Sequence, residues 1–263
     1  MGYLNGPLPI AFAHRGGTTY PENSIAAFEY CAGLGYRYLE TDVRLTADGV
    51  VVAAHDATLD RLLGRPGRIA DLSWEQIAAR GEGGQSVIPR LEDVLAAWPE
   101  VNLNIDAKTA EVVEPLVDLI VRHDARSRVC LTSFADARIT RMRSLLGPEA
   151  VTGVGRVGVG LLRAASYAGR RGELVQVPGN CVQVPAAVRG RTIVDSRFVE
   201  FVHSLGKQVH VWTVDDPDEM ARLIDLGVDG IMTDQPEVLR GVLQQRGLWP
   251  GRATDQTNSF TTP

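Results

Sequence analysis

Two pairs of charged residues, each pair separated by one position, are the part of this sequence whose spacing best suits chemistry. Glu40 and Asp42 lie in YRYLETDV, and Asp106 and Lys108 lie in VNLNIDAK. Side chains two apart on a strand share a face, so each pair should project into one space. Three carboxylates from neighbouring strands repel one another unless a cation neutralises them, and hard divalent cations prefer oxygen ligands. The pattern therefore predicts a Mg²⁺ or Ca²⁺ site formed by Glu40, Asp42 and Asp106.

A second interpretation of the same carboxylates is structural. They could form ordinary ion pairs at the rim of a fold with Arg15, Arg44 and Lys108. For one carboxylate this would be the better explanation, but for three at strand ends the cation site is preferred. Zn²⁺ is disfavoured because thiolates and paired histidines are missing from the group.

Two histidines follow short apolar runs and each adjoins a charged residue. His14 precedes Arg15, and His55 precedes Asp56. Imidazole accepts and donates protons near neutral pH, so His14 and His55 are the candidate acid–base pair. The other histidines are predicted to be packing residues: His123, His203 and His210.

An arginine and two glycines come directly after the first apolar run, in AHRGG. A glycine pair allows close approach of the backbone to a ligand, and the Arg15 guanidinium offers donors suited to phosphate oxygens. Lys108 would add a second positive charge. Trp212, after a later strand, could stack on a substrate or simply pack, and for Phe134 packing is favoured.

The elements that must position these residues alternate between short strands and helices. About eight strand-like runs are each followed by a helical pattern, from PIAFAH near the start to VDGIMTD near the end. Eight such units in about 245 residues predict an α/β fold, a (β/α)₈ TIM barrel over residues 1–250, with an open doubly wound sheet as the alternative. The charged residues above then lie at the carboxyl ends of the strands. Residues 57–90 are predicted to be an excursion between the second strand and its helix, and 251–263 a disordered tail.

Two segments late in the chain carry further predictions. ELVQVP, residues 173–178, is predicted to be a strand. GVGRVGVG, residues 153–160, matches GxGxxG but lacks an acidic residue closing the following strand, so we interpret it as a flexible barrel loop and disfavour an NAD-dependent oxidoreductase.

Composition excludes several classes of protein. The 263 residues are 44% hydrophobic and 22% charged, with a net charge of −5 and no basic run suited to nucleic acid. No transmembrane segment or secretion signal is predicted, which favours a cytoplasmic protein acting on a small molecule. Three separated cysteines are predicted to be buried thiols: Cys31, Cys130 and Cys181. Nothing in the sequence indicates an oligomeric state.

The motifs resemble the glycerophosphodiester phosphodiesterase family, a group of TIM-barrel enzymes. HRGGTTYPENSIAAF (14–28) is similar to its opening signature and ETDVRLTADGVVVAAHDATLDR (40–61) to its second. IPRLEDVL, LNIDAK, VWTVDD and GVDGIMTDQP follow in the family's order, so the similarity spans about residues 10–245.

The resemblance implies metal-dependent hydrolysis of a glycerophosphodiester to glycerol 3-phosphate and an alcohol. By position it implies His14 and His55 as the acid–base pair, Glu40 and Asp42 as metal ligands, and Arg15 and Lys108 as phosphate-binding residues. Asp106 stands where the family usually has Glu, which shortens the third ligand by one methylene. Two alternatives remain: a lysophospholipase D-like phosphodiesterase, for which an apolar rim is expected, and a non-catalytic protein that binds a phosphate ligand.

Overall fold

A curled parallel β-sheet lies at the centre of the molecule and carries the candidate site at one edge. The structure is a computed structural model, and it describes residues 2–81, 87–168 and 175–250. The predicted disordered tail, 251–263, lies outside the described residues. The strands are β1 Ile10–His14, β2 Tyr38–Leu45, β3 Val51–Ala53, β4 Asn102–Ala107, β5 Val129–Thr132, β6 Cys181–Val184, β7 Ala187–Val188, β8 Arg191–Thr192, β9 Gln208–Val211 and β10 Gly230–Thr233. The helices are α1 Ile25–Leu34, α2 Asp60–Leu63, α3 Trp74–Ala78, α4 Leu91–Ala97, α5 Val113–Arg122, α6 Asp136–Leu146, α7 Arg156–Ala165, α8 Ser196–Ser204, α9 Pro217–Asp225 and α10 Pro236–Gln245.

The sheet closes on itself through a very short eighth strand. Seven strands run in the order β5-β4-β2-β1-β10-β9-β6, all parallel. Thr152 bridges Leu131 of β5, and Gly153 bridges Cys181 of β6, both in the parallel sense. These bridges join the two ends of the sheet, so the (β/α)₈ barrel is confirmed and the open sheet is excluded.

The helices form because their apolar residues recur with helical spacing and face the barrel. In α5, Val113, Leu116, Val117 and Ile120 are buried and lie on one side of the helix. At the start of α1, the Ser24 side chain accepts a hydrogen bond from the amide of Ala27 and so satisfies a backbone donor that the first turn leaves unpaired.

The amino-terminal end of the barrel interior is filled by aromatic side chains. Tyr3 is fully buried and lies edge-on to Tyr38, with ring centroids 5.3 Å apart. Phe12 is in contact with Tyr38 at the same centroid distance. The Gln208 amide donates to the Leu4 carbonyl at 3.1 Å, which fixes the segment before β1 across this end.

The excursion after β2 is confirmed and has a small apolar centre of its own. β3 returns antiparallel along β2, and α2 and α3 follow. Its buried residues form one cluster: Val52, Ala54, Leu59, Ile69, Ile77 and Ile88.

Two local predictions are wrong. Residues 173 and 174 lie outside the described residues, and 175–178 form no strand; β6 is at Cys181–Val184 instead. GVGRVGVG is not a flexible loop, since it contains the Gly153 bridge, Gly155 at the start of α7 and Gly158 within that helix. Burial of the three cysteines as free thiols is confirmed. In the part of the chain that the structure describes, no helix has the length and apolar character needed to cross a bilayer.

Candidate active site

Strand register brings the predicted residues together at the carboxyl end of the barrel. β1 and β2 pair so that His14 lies opposite Glu40, and β2 and β4 pair so that Asp42 lies opposite Asp106. The three carboxylates are buried at the mouth of the barrel. The predicted convergence at this edge is therefore present.

Lys108 lies between two of these carboxylates. Its Nζ is 2.6 Å from Asp42 Oδ1 and 2.5 Å from Asp106 Oδ2. Burial acts to raise the pKa of Asp42, but Lys108 and then Arg15 hold it below its usual value. The ion-pair interpretation is thus partly confirmed, although Arg44 pairs differently and donates to the His55 carbonyl oxygen.

Among residues 2–81, 87–168 and 175–250, no Lys or Arg side chain forms an ion pair with Glu40, whose ion-pair partner is His14. Burial, together with the nearby Asp42 carboxylate, raises the pKa of Glu40 to about 8. His14 Nε2 is 3.7 Å from Glu40 Oε2, and the Arg15 amide donates to the same oxygen at 3.3 Å. The cluster therefore carries a carboxyl group that gains stability from any additional positive charge.

The cluster fits a hard cation in its chemistry. Asp106 Oδ1 is buried and has no hydrogen-bond partner among the described residues, so one carboxylate oxygen remains available. As the side chains stand, no group of three or more His, Cys, Asp or Glu residues within 2–81, 87–168 and 175–250 is arranged to hold a metal ion. The Lys108 ammonium group itself neutralises Asp42 and Asp106. A bound cation would therefore compete with it for these carboxylate oxygens.

His14 is held on its other side by a residue that the sequence analysis missed. Its Nδ1 lies 2.7 Å from Asp234 Oδ1, directly after β10. Burial lowers the pKa of His14, but Glu40 and Asp234 outweigh it, so the net pKa is raised. Asp234 ends a strand as His14 does, and the rule that strand ends carry the chemistry would have found it.

His55 lies at the more open side of the same mouth. Its Nδ1 is 2.7 Å from Asp56 Oδ1, and Arg61 Nε donates to the other Asp56 oxygen at 2.6 Å. This Arg61 bond, with a further contribution from His55, lowers the pKa of Asp56 to about 2. The amide of Ala54, the residue before His55, donates to the Asp42 carbonyl oxygen at 2.9 Å, so the chain reaches His55 directly beside the strand that carries Glu40 and Asp42.

The turn after β1 holds Arg15 against the cluster. Arg15, Gly16 and Gly17 have successive φ angles of 52°, 81° and 76°. Arg15 Nε is 2.9 Å from Asp42 Oδ2, in ion-pair contact although the N–H is not aligned for a hydrogen bond. The first of these glycines packs closely against a helix: a Cβ on Gly16 would lie 2.6 Å from the Ala27 Cβ of α1.

Asn23 is a second residue that the sequence analysis missed. It is buried with φ 60°, accepts from Thr41 Oγ1 at 2.7 Å and donates to Asp42 Oδ2 at 3.5 Å. A lone Asn within a turn gives no signal in the sequence for this role.

Two aromatic rings line the mouth beside Lys108. Trp212 and Phe134 are edge-on, with centroids 5.9 Å apart, and Lys108 Nζ is 5.7 Å from the Phe134 ring. Phe134 is 53% exposed, so packing does not account for most of its surface.

The remaining histidines make structural contacts, as expected. His123 Nε2 is 3.3 Å from Glu92, and His203 Nε2 is 2.7 Å from Asp229. His210 is fully buried in the barrel.

Comparisons with known proteins point to one family. The model of the family described as "Glycerophosphoryl diester phosphodiesterase family" matches residues 14–238. "Probable glycerophosphodiester phosphodiesterase 2" of Mycobacterium tuberculosis is 41% identical over 246 residues, covering 92% of this chain and 93% of that protein. A glycerophosphodiester phosphodiesterase of Caldanaerobacter subterraneus is 30% identical over 253 residues, covering 90% and 99%.

A solved structure has the same fold. It is a phosphodiesterase of Oleispira antarctica in complex with the product sn-glycerol-3-phosphate, with a TM-score of 0.74, 21% identity and coverage of 90% of this chain and 97% of that one. The residues matched by the family model include His14, Glu40, Asp42, Asp106 and Asp234. The chain therefore belongs to the glycerophosphoryl diester phosphodiesterase family, which makes it a phosphoric diester hydrolase.

Proposed function

We propose that this chain hydrolyses glycerophosphodiesters to sn-glycerol 3-phosphate and an alcohol, using His14 and His55 as the acid–base pair. The observation that carries the proposal is the mouth itself. There, a histidine held by Asp234 lies 3.7 Å from Glu40, and Lys108 joins the other two buried carboxylates. The names of the two relatives and the product bound to the Oleispira protein support the substrate class.

Glu40, Asp42 and Asp106 are the residues that would hold a divalent cation, Mg²⁺ or Ca²⁺. The unpaired Asp106 oxygen and the raised pKa of Glu40 support this assignment. When bound, such a cation supplies the positive charge that polarises a phosphoryl group. Asp106 is one methylene shorter than Glu, so its carboxylate reaches less far from β4 than the residue usual in the family.

The two histidines would move protons on opposite sides of the phosphorus. The Nδ1 of His14 is engaged by Asp234, so Nε2 is the nitrogen that would accept the proton of the attacking oxygen. The Nδ1 of His55 is engaged by Asp56, which directs its Nε2 to protonate the leaving alcohol. The attacking oxygen belongs either to the glycerol 2-hydroxyl, which gives a cyclic phosphate, or to water.

The positively charged groups would bind the substrate phosphate. Arg15 and Lys108 both lie within ion-pair distance of Asp42 and could exchange this contact for phosphate oxygens. Trp212, paired with the exposed Phe134, would stack on the glycerol or head group.

The test measures glycerol 3-phosphate release from glycerophosphocholine with Mg²⁺ or Ca²⁺. Activity should fall by roughly 10²-fold or more in His14→Ala and in His55→Ala, and a chelator should abolish it. The matched control is His123→Ala. His123 directly follows α5 and is paired with Glu92, so this variant should keep full turnover. Near-normal turnover in either site variant removes that histidine from the scheme, and phosphorus NMR of the products identifies a cyclic intermediate.

A lysophospholipase D-like activity is the second candidate. The specific observation in its favour is the exposed Phe134 ring beside Trp212, which gives the mouth an apolar side. Choline release from lysophosphatidylcholine, compared with glycerophosphocholine at equal enzyme concentration, separates the two substrates. Binding of glycerol 3-phosphate without turnover of either substrate would instead support the non-catalytic alternative. A cytoplasmic location is part of the proposal, and cell fractionation tests it.

A further inference from the structure

One side of the barrel mouth carries exposed apolar side chains, which we call the apolar rim. Its members are each between 46% and 66% exposed: Phe134, Val157, Leu161, Tyr167 and Val188. They follow consecutive strands of the closed barrel, namely β5, the short strand at residues 152 and 153, and β6. Clusters of large exposed apolar residues mark surfaces that contact another phase or molecule.

The position of α7 places most of this rim at the mouth. The amide of Val157, in the first turn of α7, donates to Asp136 Oδ2 in the first turn of α6 at 3.4 Å. Near the other end, Arg163 Nη2 is 2.6 Å from Asp195, the residue that caps α8. Because α6 and α8 both begin at the carboxyl end of the barrel, both ends of α7 lie there. The exposed positions of this helix are Arg156, Val157, Gly160, Leu161 and Ala164.

Arginines without ion-pair partners lie among these apolar residues. Val188 and Arg191 pair across the β7–β8 hairpin, and its two turn residues, Arg189 and Gly190, have φ angles of 50° and 75°. Two central residues with positive φ are typical of a tight two-residue hairpin turn, which places Arg189 at the tip and Arg191 just after it. Within the described residues, Arg156, Arg189 and Arg191 make no ion pair, whereas the side of the mouth formed after β1 and β3 is joined by ion pairs of Arg61 with Glu22 and Asp56.

We propose that the apolar rim and these three arginines dock the barrel mouth onto an anionic membrane surface. Apolar side chains interleaved with unpaired basic groups match a layer of acyl chains beneath negatively charged head groups. A second copy of the chain is the poorer occupant. A two-fold contact would bring this patch of both copies into one interface, and the rim as defined offers no carboxylate to pair with the arginines gathered there. The chain as a whole has a net charge of −5, so these arginines form a local positive region on a negatively charged protein. Attraction of this region to an anionic membrane also turns the barrel mouth toward the membrane.

Docking does not depend on the proposed chemistry, and vesicle sedimentation of the full chain tests it directly. We expect binding to vesicles of equal parts phosphatidylglycerol and phosphatidylcholine, with at least about tenfold weaker binding to pure phosphatidylcholine. Arg189→Glu/Arg191→Glu should weaken binding to the vesicles that contain phosphatidylglycerol by roughly tenfold or more. Val157→Ser/Leu161→Ser should weaken it as well. Hydrolysis of glycerophosphocholine, which is fully soluble, should stay unchanged in both variants.

The matched controls carry the same substitutions away from the rim. Arg37→Glu/Arg126→Glu makes an equal change in net charge at positions that precede β2 and β5, at the opposite end of the barrel. Val121→Ser/Leu145→Ser removes exposed apolar side chains from the ends of α5 and α6. Both controls should bind vesicles as the native protein does.

Three outcomes overturn the proposal. The first is failure of the native protein to bind anionic vesicles, and the second is equal loss of binding in the rim variants and their controls. The third is a dimer, seen by sedimentation velocity, that Val157→Ser/Leu161→Ser dissociates. Because the substrate in the activity assay is soluble, failure of docking with normal hydrolysis leaves the proposed function standing, and the reverse result leaves docking standing.

Discussion

The pairing of His14 with Asp234 decides which ring nitrogen of this histidine faces the carboxylate cluster. A carboxylate that accepts from Nδ1–H keeps the proton on that atom and leaves Nε2 as the basic nitrogen. Two carboxylates flank the ring, and Asp234 is the closer one, at 2.7 Å against 3.7 Å for Glu40. Asp234 is thus a positioning residue for the proposed base.

Replacing Asp234 by Asn should lower kcat more than it changes KM. The amide can donate to Nδ1 and so favours the wrong tautomer, and we expect a loss of roughly 10²-fold in kcat. Steady-state kinetics with glycerophosphocholine measures it. Asp229→Asn breaks a His–Asp pair of the same length, at His203 before β9, and should lower stability without lowering kcat. An Asp234→Asn enzyme with the native kcat would contradict the positioning role.

The Asp56 carboxylate should make the free energy of unfolding depend on pH in the acid range. Its pKa is lowered to about 2, chiefly by Arg61, so in the folded state it stays ionised where the unfolded chain is protonated. The resulting stabilisation is present above about pH 4 and is lost as the pH falls toward 2. Since Arg61 is half exposed, we expect only about 1 kcal/mol.

Urea unfolding of the native protein and Asp56→Asn at pH 6 and pH 3 measures this contribution. The difference in unfolding free energy between the two proteins should be smaller at pH 3. A difference that stays constant between these pH values would rule out Asp56 as its source.

At the scale of elements, the turn between β1 and α1 connects packing to the site. Gly16 lies against Ala27 of α1, and Gly17 against Pro236 of α10, both with positive φ. The same turn holds Arg15 beside Asp42. The glycines therefore set the position of a candidate phosphate-binding residue through helix contacts.

Gly16→Ala should destabilise the protein by about 2 kcal/mol or more, since a methyl group would clash with α1 and φ is 81°. Gly33→Ala makes the same change inside α1, where an added Cβ meets nothing within 4 Å. It should stabilise by roughly 0.5–1 kcal/mol. Thermal unfolding compares the two variants, and equal effects would show that the close approach at Gly16 is unimportant.

Much of the fold could be predicted because each βα unit has its own local pattern, and strand ends then locate Glu40, Asp42 and Asp106. The segment 173–178 misled because its apolar residues suit a strand, but closure of the barrel pairs Cys181–Val184 with β9 instead. Contacts between residues far apart in the sequence could not be predicted either. Asp234 and His14 are 220 positions apart and meet only because β10 pairs with β1.

At the scale of the whole molecule, the two ends of the barrel have separate tasks. The carboxyl end carries the charged cluster, and the amino end is sealed by Tyr3, Phe12 and Tyr38. Stability and activity should therefore respond to different substitutions.

Tyr3→Ala should lower the unfolding free energy by about 3 kcal/mol or more, because it removes a fully buried ring. This corresponds to a fall in Tm of roughly 6–12 °C. The kcat at 25 °C should stay native, because the site lies at the far end. Tyr20→Ala, at a 44% exposed ring, is the control and should change Tm little. A large loss of kcat in folded Tyr3→Ala would show that the two ends are coupled.

The order of strands around the sheet divides the mouth into two arcs. β4, β2, β1 and β10 are neighbours and supply the proposed proton-transfer and ligand groups, whereas Phe134, α7, the β7–β8 hairpin and Trp212 extend from the other arc. Loops on this second arc could be exchanged, lengthened or recharged while β4, β2, β1 and β10 keep their pairing. The same hydrolytic arc could thus be retargeted from one head group or cellular surface to another, and diversity among homologous barrels should concentrate in those loops.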